Sequence, residues 1–507
     1  MDADALVRRW LAGRAQVQPD GSVALAPRAG VALVDKLRRA YRWIADRALV
    51  TPYDDVEFGA ARLLGKGSTK VPTHQGEAWC SFVLFPLLTL VTKQRLLIVG
   101  GPGRGKTSVA MLMSLLAGHT PEEVRRAVQH GHPQLTVADL LGAPLPSELI
   151  RAERTGDVRV SWRGWITHAV KVIDEYNRIP TKTQSALLSL MAEGYAECFE
   201  QVVEAGPSAW FLTANDDLGG GTFEVIEALR DRIDLVVRCP PYSGRMLDTL
   251  VARVEDGGSP ETTVPRDLVW TRDELARVDA ELAAVKVPRE VSDAMGFFGG
   301  QLDFCGRAAA RLEYKNKDSL HLTGRRVAHV CNEDCPLDKQ QNLCTQTENG
   351  ISARAWQSVL RYARALAWFR RKTAVSPEDV RAVLPWALHD KVRANAQSAF
   401  FAKPENAVYL TDRVAWVQQM FDKALTQQAA HAATRLPVID ITRRAGADLD
   451  GMTEPRLRET MTALEAQIGR LVEGGELNAP VYDDVMMLRR LHARCRARIA
   501  ALEDGSG

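Results

Sequence analysis

Residues 96–108, which read LLIVGGPGRGKTS, constrain the fold of this chain more than any other segment. An apolar run with strand character leads directly into the pattern G-x-x-x-x-G-K-T, and a helical pattern follows. The glycines of such a loop let the backbone curl so that its N–H groups point inward at phosphate, and the helix aims its positive N-terminus at the same anion. The segment therefore predicts a strand, a phosphate-binding loop and a helix, the unit of a parallel α/β sheet.

The loop and the first helical residues form the candidate nucleotide-binding set. Its members are Gly100, Gly101, Pro102, Gly103, Arg104, Gly105, Lys106, Thr107 and Ser108. The ammonium group of Lys106 can reach the β- and γ-phosphates, and the hydroxyl of Thr107 can ligate Mg²⁺. The alternative interpretation is a glycine-rich turn that binds no ligand, but it does not explain why Lys106 and Thr107 follow the glycines. We therefore expect ATP and Mg²⁺ at this loop.

A second apolar strand, residues 170–175 (VKVIDE), ends in two acids. Beside the first strand in a parallel sheet, its carboxyl end lies at the edge where ligands bind. Asp174 then meets Mg²⁺ through the water shell of the ion, and Glu175 polarises the attacking water. The alternative is a strand that runs into an acidic turn, and the upstream phosphate-binding loop disfavours it.

Further polar side chains follow in the order that phosphoryl transfer needs. Asn215 ends the apolar run 208–214 and is placed to hold the attacking water or the γ-phosphate, unless it is a simple turn residue. Arg230 and Arg232 are candidates for an arginine that a subunit edge presents to the nucleotide of the next protomer; the alternative is a solvated helix end. Arg354 opens a long helical stretch, where it can report the nucleotide state to a second domain.

Four segments resemble the MoxR family of AAA+ ATPases. They are residues 174–188 (DEYNRIPTKTQSALL, family DEINRAPPKTQSALL), 221–233 (GTFEVIEALRDRI, family GTYPLPEAQLDRF), 351–355 (ISARA, family GASPRA) and 375–382 (VSPEDVRA, family VTPEDVRA). The resemblance covers about residues 75–395, with a break near 305–349. Tyr176, Glu224 and Arg230 replace an Ile, a Pro and an apolar residue of the family pattern, and the catalytic set stays intact.

The resemblance implies roles for the candidate residues. Asp174 and Glu175 correspond to the Walker B acids, Asn215 to sensor 1, Arg232 to the arginine finger and Arg354 to sensor 2. ATP is then expected between the α/β domain and the lid of one protomer, with Arg232 arriving from the next. Arg230 remains a rival for the finger.

The resemblance also implies an ATP hydrolase that works as a homo-oligomeric ring, expected to be a hexamer. Such a ring remodels or chaperones a protein client, often with a von Willebrand factor A partner. Two other functions stay open: the motor of a nucleic-acid-directed or defence system, and the motor subunit of a metal chelatase. A scaffold that only binds ATP is disfavoured because the whole catalytic set is present.

Composition excludes several other classes. The 507 residues are 46% apolar and 25% charged, as in globular proteins, and the net charge of +2 gives no argument for a nucleic-acid partner. The densest basic stretch, residues 489–498, has an apolar edge and no aromatics to stack bases, so it is expected to pack in a helical hairpin. The longest apolar run, residues 82–91, is far short of the roughly 20 residues of a membrane span. An acidic start, without a signal pattern, predicts a cytoplasmic protein.

The patterns divide the chain into four regions. Residues 1–75 are expected to be a helical N-terminal region, with a linker at 65–72, and residues 76–243 the AAA+ α/β domain. Residues 244–400 are expected to be a helical lid that carries the insertion 305–349, and residues 401–507 a helical C-terminal region. The predicted fold class is therefore α/β: a P-loop AAA+ parallel-sheet domain with an all-helical lid and helical terminal regions.

Four cysteines fall in the insertion, where the chain departs from the family pattern. Cys305, Cys331, Cys335 and Cys344 have the spacing C-x₂₅-C-x₃-C-x₈-C among polar neighbours, whereas buried structural cysteine prefers apolar ones. Four thiolates suit zinc or an iron–sulfur cluster. The three-residue gap and the Cys335-Pro336 pair slightly favour the cluster. His321 and His329 are alternative zinc ligands, and small buried residues without a metal are the alternative reading.

Overall fold

The computed structural model describes residues 15–17, 23–25, 32–49, 51, 53–66, 70–151, 158–215, 227–256, 264–331, 335–447, 449, 451–473 and 477–504. Part of the segment similar to the family's GTYPLPEAQLDRF, residues 221–226, lies outside these ranges.

The strands are β1 (Ala15–Val17), β2 (Val23–Leu25), β3 (Val56–Glu57), β4 (Ala61–Leu64), β5 (Val71–His74), β6 (Ala78–Trp79), β7 (Arg95–Val99), β8 (Val128–His130), β9 (Gly142–Pro144), β10 (Val160–Trp162), β11 (Val170–Asp174), β12 (Tyr195–Cys198), β13 (Gln201–Glu204), β14 (Ala209–Ala214) and β15 (Leu235–Arg238). The α-helices are α1 (Leu33–Trp43), α2 (Ser81–Thr92), α3 (Lys106–Leu116), α4 (Pro121–Ala127), α5 (Val137–Leu141), α6 (Pro146–Arg151), α7 (Thr181–Ala192), α8 (Glu227–Arg232), α9 (Leu247–Asp256), α10 (Arg272–Ala284), α11 (Arg289–Asp303), α12 (Lys317–Leu322), α13 (Val327–Val330), α14 (Ala353–Phe369), α15 (Pro377–Leu388), α16 (Arg413–Ala447), α17 (Glu454–Glu473) and α18 (Ala479–Asp504).

Five strands form the central sheet in the order β15-β7-β14-β11-β8, and each neighbouring pair is parallel. Val99 pairs with Ala214, and Asp174 pairs with His130, so the strands end along one carboxyl edge. The predicted parallel α/β sheet is confirmed. In this order, β7, β14 and β11 are neighbours. The phosphate-binding loop follows β7, Asn215 follows β14 and Glu175 follows β11.

Apolar residues cover both faces of this sheet, because successive strand residues point to opposite sides. Leu96 and Ile98 pack with α2 and α3 on one face, and Leu97 packs with α7 and α8 on the other. The run 82–91 lies within α2, which is buried from Ser81 to Val91 as a core helix. No helix in the described ranges is both long and apolar enough to cross a membrane.

Two antiparallel hairpins project from the sheet domain. β9 pairs with β10, and β12 pairs with β13. The Gln201 side chain links them: its Oε1 accepts from the Val160 N–H at 3.3 Å, and its Nε2 donates to the Val158 carbonyl at 2.5 Å. The two hairpins therefore form one connected surface.

The N-terminal region contains the helix α1 and, in addition, short antiparallel pairs that the polar pattern did not predict. These pairs are β1–β2, β3–β6 and β4–β5. The prediction of a linker at 65–72 is wrong, because Leu64 pairs with Val71 in the β4–β5 hairpin.

The region that follows the sheet domain is helical, from α9 to α18. Apolar residues of α16, α17 and α18 form a core of their own, to which the basic stretch 489–498 contributes Leu491 and Cys495. Arg489 pairs with Glu313 at 2.6 Å. The basic stretch thus packs its apolar edge within a helical bundle, as expected.

Candidate nucleotide-hydrolysis site

The loop between β7 and α3 turns at two glycines in the left-handed backbone region. The φ angle is 71° at Gly103 and 81° at Gly105, values that residues with a side chain rarely adopt. Gly105 is the N-cap of α3, so the unpaired first N–H groups of that helix open toward the loop. Beneath the loop, the Cys239 thiol donates to the Arg104 carbonyl at 2.8 Å. The sequence therefore folds into a backbone-lined cradle for an anion.

Lys106 extends through this cradle and is buried. Its ammonium group donates to the carbonyls of Gly100 and Gly101, at 2.6 and 2.8 Å, and to Asn215 Oδ1 at 2.8 Å. An ammonium group held among oxygen acceptors is suited to exchange one of them for a phosphate oxygen. The structure thus joins Lys106, at the start of α3, to Asn215, which follows the neighbouring strand β14.

Asp174 and Thr107 lie side by side at the carboxyl edge. Asp174 Oδ1 accepts from the hydroxyls of Thr107, at 2.8 Å, and Thr213, at 2.5 Å, and His130 Nδ1 lies 3.3 Å from Asp174 Oδ2. Mg²⁺ is a hard cation that prefers oxygen ligands and retains several waters. A hydroxyl beside a carboxylate, next to the phosphate cradle, fits that donor set.

Glu175 occupies a strained backbone position, with φ 53° and ψ 47°. A non-glycine residue in this left-handed region is uncommon and is typical of functional sites. Its Oε1 accepts from Asn215 Nδ2 at 2.7 Å, and its Oε2 lies 3.2 Å from Arg178 Nε. The carboxylate is therefore held between two nitrogen groups at the edge of the sheet, beside Lys106 and Asp174.

Sequence reasoning missed three members of this network: His130, Arg178 and Thr213. His130 and Thr213 stand at the carboxyl ends of β8 and β14, and this position is the signal that could have identified them. Tyr176, the departure from the family pattern, is buried in the apolar layer under the site, and burial raises the pKa of its phenol. It therefore fills the place of the usual isoleucine.

Apart from the phosphate cradle, a cavity of about 280 Å³ lies at the opposite, amino edge of the same sheet. Its charged lining residues are Arg95, Arg232, Arg354, Arg361, Glu193, Asp231 and Asp234. Arg95 begins β7, and its N–H donates to Asp234 Oδ2 at 2.9 Å. The five residues of β7 separate this cavity from the phosphate cradle by about 13 Å.

Arg232, and not its rival Arg230, lines this amino-edge cavity. Arg232 Nη1 donates to the Ala228 carbonyl at 3.0 Å, and its Nε is buried without a hydrogen-bond partner among the described residues. Arg230 points elsewhere and lies 3.7 Å from Asp390. Arg232 therefore has donor capacity for a further acceptor at this surface.

Arg354 lies beside Arg232 at the amino edge and not at the phosphate cradle of its own chain. Its Nη1 lies 3.0 Å from Asp231 Oδ2, and its side chain is 59% exposed. Helix α14 is fixed against the amino edge of the sheet: Ser358 donates to Asp234, and Arg361 donates to Gln94 at 2.9 Å. These contacts place the start of α14 far from the nucleotide loop.

The four cysteines of the insertion line one small cavity of about 20 Å³. All four are free thiols. Within the described ranges, no group of three or more His, Cys, Asp or Glu residues has an arrangement that could hold a metal ion. His321 does not line this cavity, and its Nε2 lies 2.9 Å from the Glu348 carbonyl. The predicted zinc or iron–sulfur site is therefore not formed as a ready ligand set.

The sheet order, the phosphate cradle, the Asp-Glu pair and the strand-end asparagine define an AAA+ ATPase. Residues 95–235 match the family described as "ATPase family associated with various cellular activities (AAA)", and residues 339–408 match the AAA lid domain. The chain is 26% identical over 318 residues to Protein MoxR of Paracoccus denitrificans, an alignment of 59% of this chain and 79% of that protein. These similarities support a MoxR-type AAA+ ATPase, and the chain is an ATP hydrolase.

A crystal structure of a putative ATPase from Cytophaga hutchinsonii ATCC 33406 is also similar. It shares 17% sequence identity with this chain, covers 66% of this chain and 89% of its own length, and superposes with a TM-score of 0.43.

Proposed function

We propose that this ATPase works as a ring that remodels a protein partner. One observation carries the proposal: the hydrolytic residues occupy two opposite edges of the sheet. The cradle and Glu175 lie at the carboxyl edge, and Arg232 and Arg354 lie at the amino edge. A single chain therefore cannot bring its own arginines to its own nucleotide. Head-to-tail contacts between copies, which close into a ring, bring the two edges together.

Within this interface each side chain has a defined task. The cradle and Lys106 hold the phosphates of ATP, and Glu175, oriented by Asn215, aligns the attacking water with the γ-phosphate. Mg²⁺, at Thr107 and Asp174, supplies charge neutralisation when bound. Arg232 of the neighbouring chain then faces the charge that develops on the transferred group.

Arg354 belongs to the same trans-acting pair in this proposal. It shares the amino-edge cavity with Arg232, and its ion pair with Asp231 is largely solvent-exposed, so the pair is worth little and can exchange for a phosphate oxygen. Because Arg354 lies in the first turn of α14, its engagement couples the nucleotide of one chain to the helical region of the next.

The linked hairpins offer a surface for a protein client. Leu149 and Ile150 of α6 are exposed, as are Phe199 and Val202 of the β12–β13 hairpin. Exposed apolar side chains are typical of protein contact sites when they lie close together. This surface favours a protein client over the nucleic-acid and chelatase alternatives. A hexameric ring, a von Willebrand factor A partner and a cytoplasmic location are further parts of the proposal, and they rest on the family resemblance.

Nucleotide-dependent assembly tests the ring. Glu175→Gln retains the phosphate and Mg²⁺ ligands, so mass photometry with ATP should show a ring-sized species, whereas the same protein without nucleotide should be smaller. Lys106→Ala, which loses the phosphate ligand, is the matched control and should not assemble with ATP. A wild-type chain that hydrolyses ATP at full rate as a monomer would contradict the proposal.

A further inference from the structure

Asp231 joins the helix that carries Arg232 to the start of α14. Its Oδ1 accepts from the Ser352 hydroxyl at 2.9 Å, and its Oδ2 accepts from Arg354 Nη1 at 3.0 Å. Ser352 is the N-cap of α14, and its hydroxyl oxygen accepts from the Ala355 N–H at 3.2 Å. One carboxylate on α8 therefore holds both the cap and the first-turn arginine of α14.

Asp234 makes a second, deeper connection between the same two parts of the chain. It follows α8 by two residues. One of its oxygens accepts from the Ser358 hydroxyl, and the other accepts from the Arg95 N–H at 2.9 Å. Asp234 is buried, whereas the Asp231 side chain is 29% exposed. The contacts of Asp234 dock α14 on the sheet, so this docking does not depend on Asp231.

The ion pair with Asp231 determines where the Arg354 side chain lies. This side chain is 59% exposed, and an unrestrained arginine at a surface adopts many rotamers. The carboxylate selects those that keep the guanidinium near Arg232, with which Arg354 lines the amino-edge cavity. Fixing the side chain before a ligand arrives lowers the conformational entropy that is lost on binding.

We propose that Asp231 is a positioning residue, which holds Arg354 beside Arg232 until a phosphate of the neighbouring chain replaces it. The inference rests on the proposed ring, because there the cavity meets the nucleotide of another copy. When a phosphate oxygen takes the place of Asp231 at Arg354, the carboxylate still accepts from Ser352, so α8 and α14 stay joined. The two arginines therefore act on the neighbouring nucleotide as one unit.

Turnover of the assembled ring tests the positioning role. Asp231→Ala should lower kcat about 10–100-fold with a smaller change in KM, and should leave the ATP affinity of the dilute, unassembled chain unchanged. Asp231→Asn should recover part of the rate, because its amide oxygen can still accept from Ser352. Glu227→Ala is the matched control and should turn over at the wild-type rate, since this acid of the same helix is 86% exposed and lies outside the cavity. Wild-type or faster turnover by Asp231→Ala would overturn the proposal.

A double variant distinguishes positioning from a general structural role. If Asp231 acts through Arg354, Asp231→Ala should change turnover less than about twofold in a chain that already carries Arg354→Ala. An equal loss in the two backgrounds would show that Asp231 acts by another route, and it would overturn the proposal.

Hydrogen exchange tests the contact without the ring. In the dilute, unassembled chain, the amides at the start of α14 should exchange several-fold faster in Asp231→Ala than in Glu227→Ala, because the Ser352 hydroxyl loses its acceptor. Unchanged exchange would overturn the proposal. If the wild type forms no ring with ATP, the proposed function fails; if it forms the ring and Asp231→Ala hydrolyses ATP at the wild-type rate, only the role of Asp231 fails.

Discussion

Arg232 and Arg354 line the same cavity at the amino edge of the sheet, on the side opposite the phosphate cradle. Within the described ranges, Arg232 keeps a buried Nε without a partner, and the Arg354 side chain forms an exposed ion pair with Asp231. Both guanidinium groups can therefore donate hydrogen bonds to a phosphate oxygen from outside their own chain. In the proposed ring, this relationship places the catalytic unit at the interface between two copies.

The first prediction separates ATP binding from hydrolysis. Glu175→Gln should bind ATP as the wild type does and hydrolyse it about 10²–10⁴-fold more slowly, because only the group that orients the water is lost. Lys106→Ala should instead lose binding, since it removes the buried ammonium at the cradle. Calorimetric ATP titration and phosphate release measure the two effects. Near-wild-type turnover by Glu175→Gln would show that Glu175 does not orient the attacking water.

Asn215 should act as a positioning residue for Glu175. Asn215→Ala removes the donor that lies 2.7 Å from the Glu175 carboxylate, so turnover should fall by about 10–100-fold with a smaller change in KM. Asn215→Gln is the matched variant, since it retains the amide group and should recover part of the rate. A loss that appears in KM alone would indicate a role in substrate binding instead.

Arg232→Ala should reduce turnover of the ring by at least about 10³-fold, the usual range for an arginine finger. Arg230→Ala is the matched control and should retain most activity, because its guanidinium lies outside the cavity and pairs with Asp390. ATP affinity of the dilute, unassembled chain should be the same in both variants. The opposite order of rates would make Arg230 the finger.

Asp483 gives a prediction for the pH dependence of stability. Burial, together with the nearby Asp303 and Asp484, raises the pKa of this carboxyl to about 7, and Arg435 offsets part of the shift. A folded-state pKa above the unfolded value means that the native state favours the protonated form, so stability is lost as pH rises from about 4 to about 7.

Asp483→Asn should therefore raise the free energy of unfolding at pH 8 by about 1–2 kcal/mol and change it little at pH 4.5. Urea unfolding at the two pH values measures the difference, with the exposed Glu405→Gln as control. An Asn variant less stable than the wild type at pH 8 would show that the ionised carboxylate is needed.

Local sequence patterns predicted those site residues that lie together within a short motif. Lys106, Thr107, Asp174 and Glu175 each lie within a motif that specifies both strand end and side chain, and the structure joins them as expected. The nature of the sheet also follows from such patterns, because alternating strands and helices admit few arrangements.

Long-range placement could not be predicted in this way. The position of Arg354 depends on how α14 docks on the sheet, through Ser358 and Arg361, and neither contact has a signal in the local sequence. The convergence of four cysteines has the same origin, since their segments meet only in the folded chain. The contact between Arg178 and Glu175 could have been predicted, because Arg178 lies three residues after Glu175 in the same motif.

The most direct test of the shared interface mixes two inactive proteins. Arg354→Ala subunits keep Glu175, and Glu175→Gln subunits keep Arg354, so a random equimolar ring has about one quarter of its interfaces with both groups intact if Arg354 acts on the neighbouring chain. Co-expressed mixed rings should then regain ATPase activity, as should the parallel mixture with Arg232→Ala. If Arg354 serves its own nucleotide, no mixing ratio restores turnover in the Arg354→Ala rings, and this result would contradict the account.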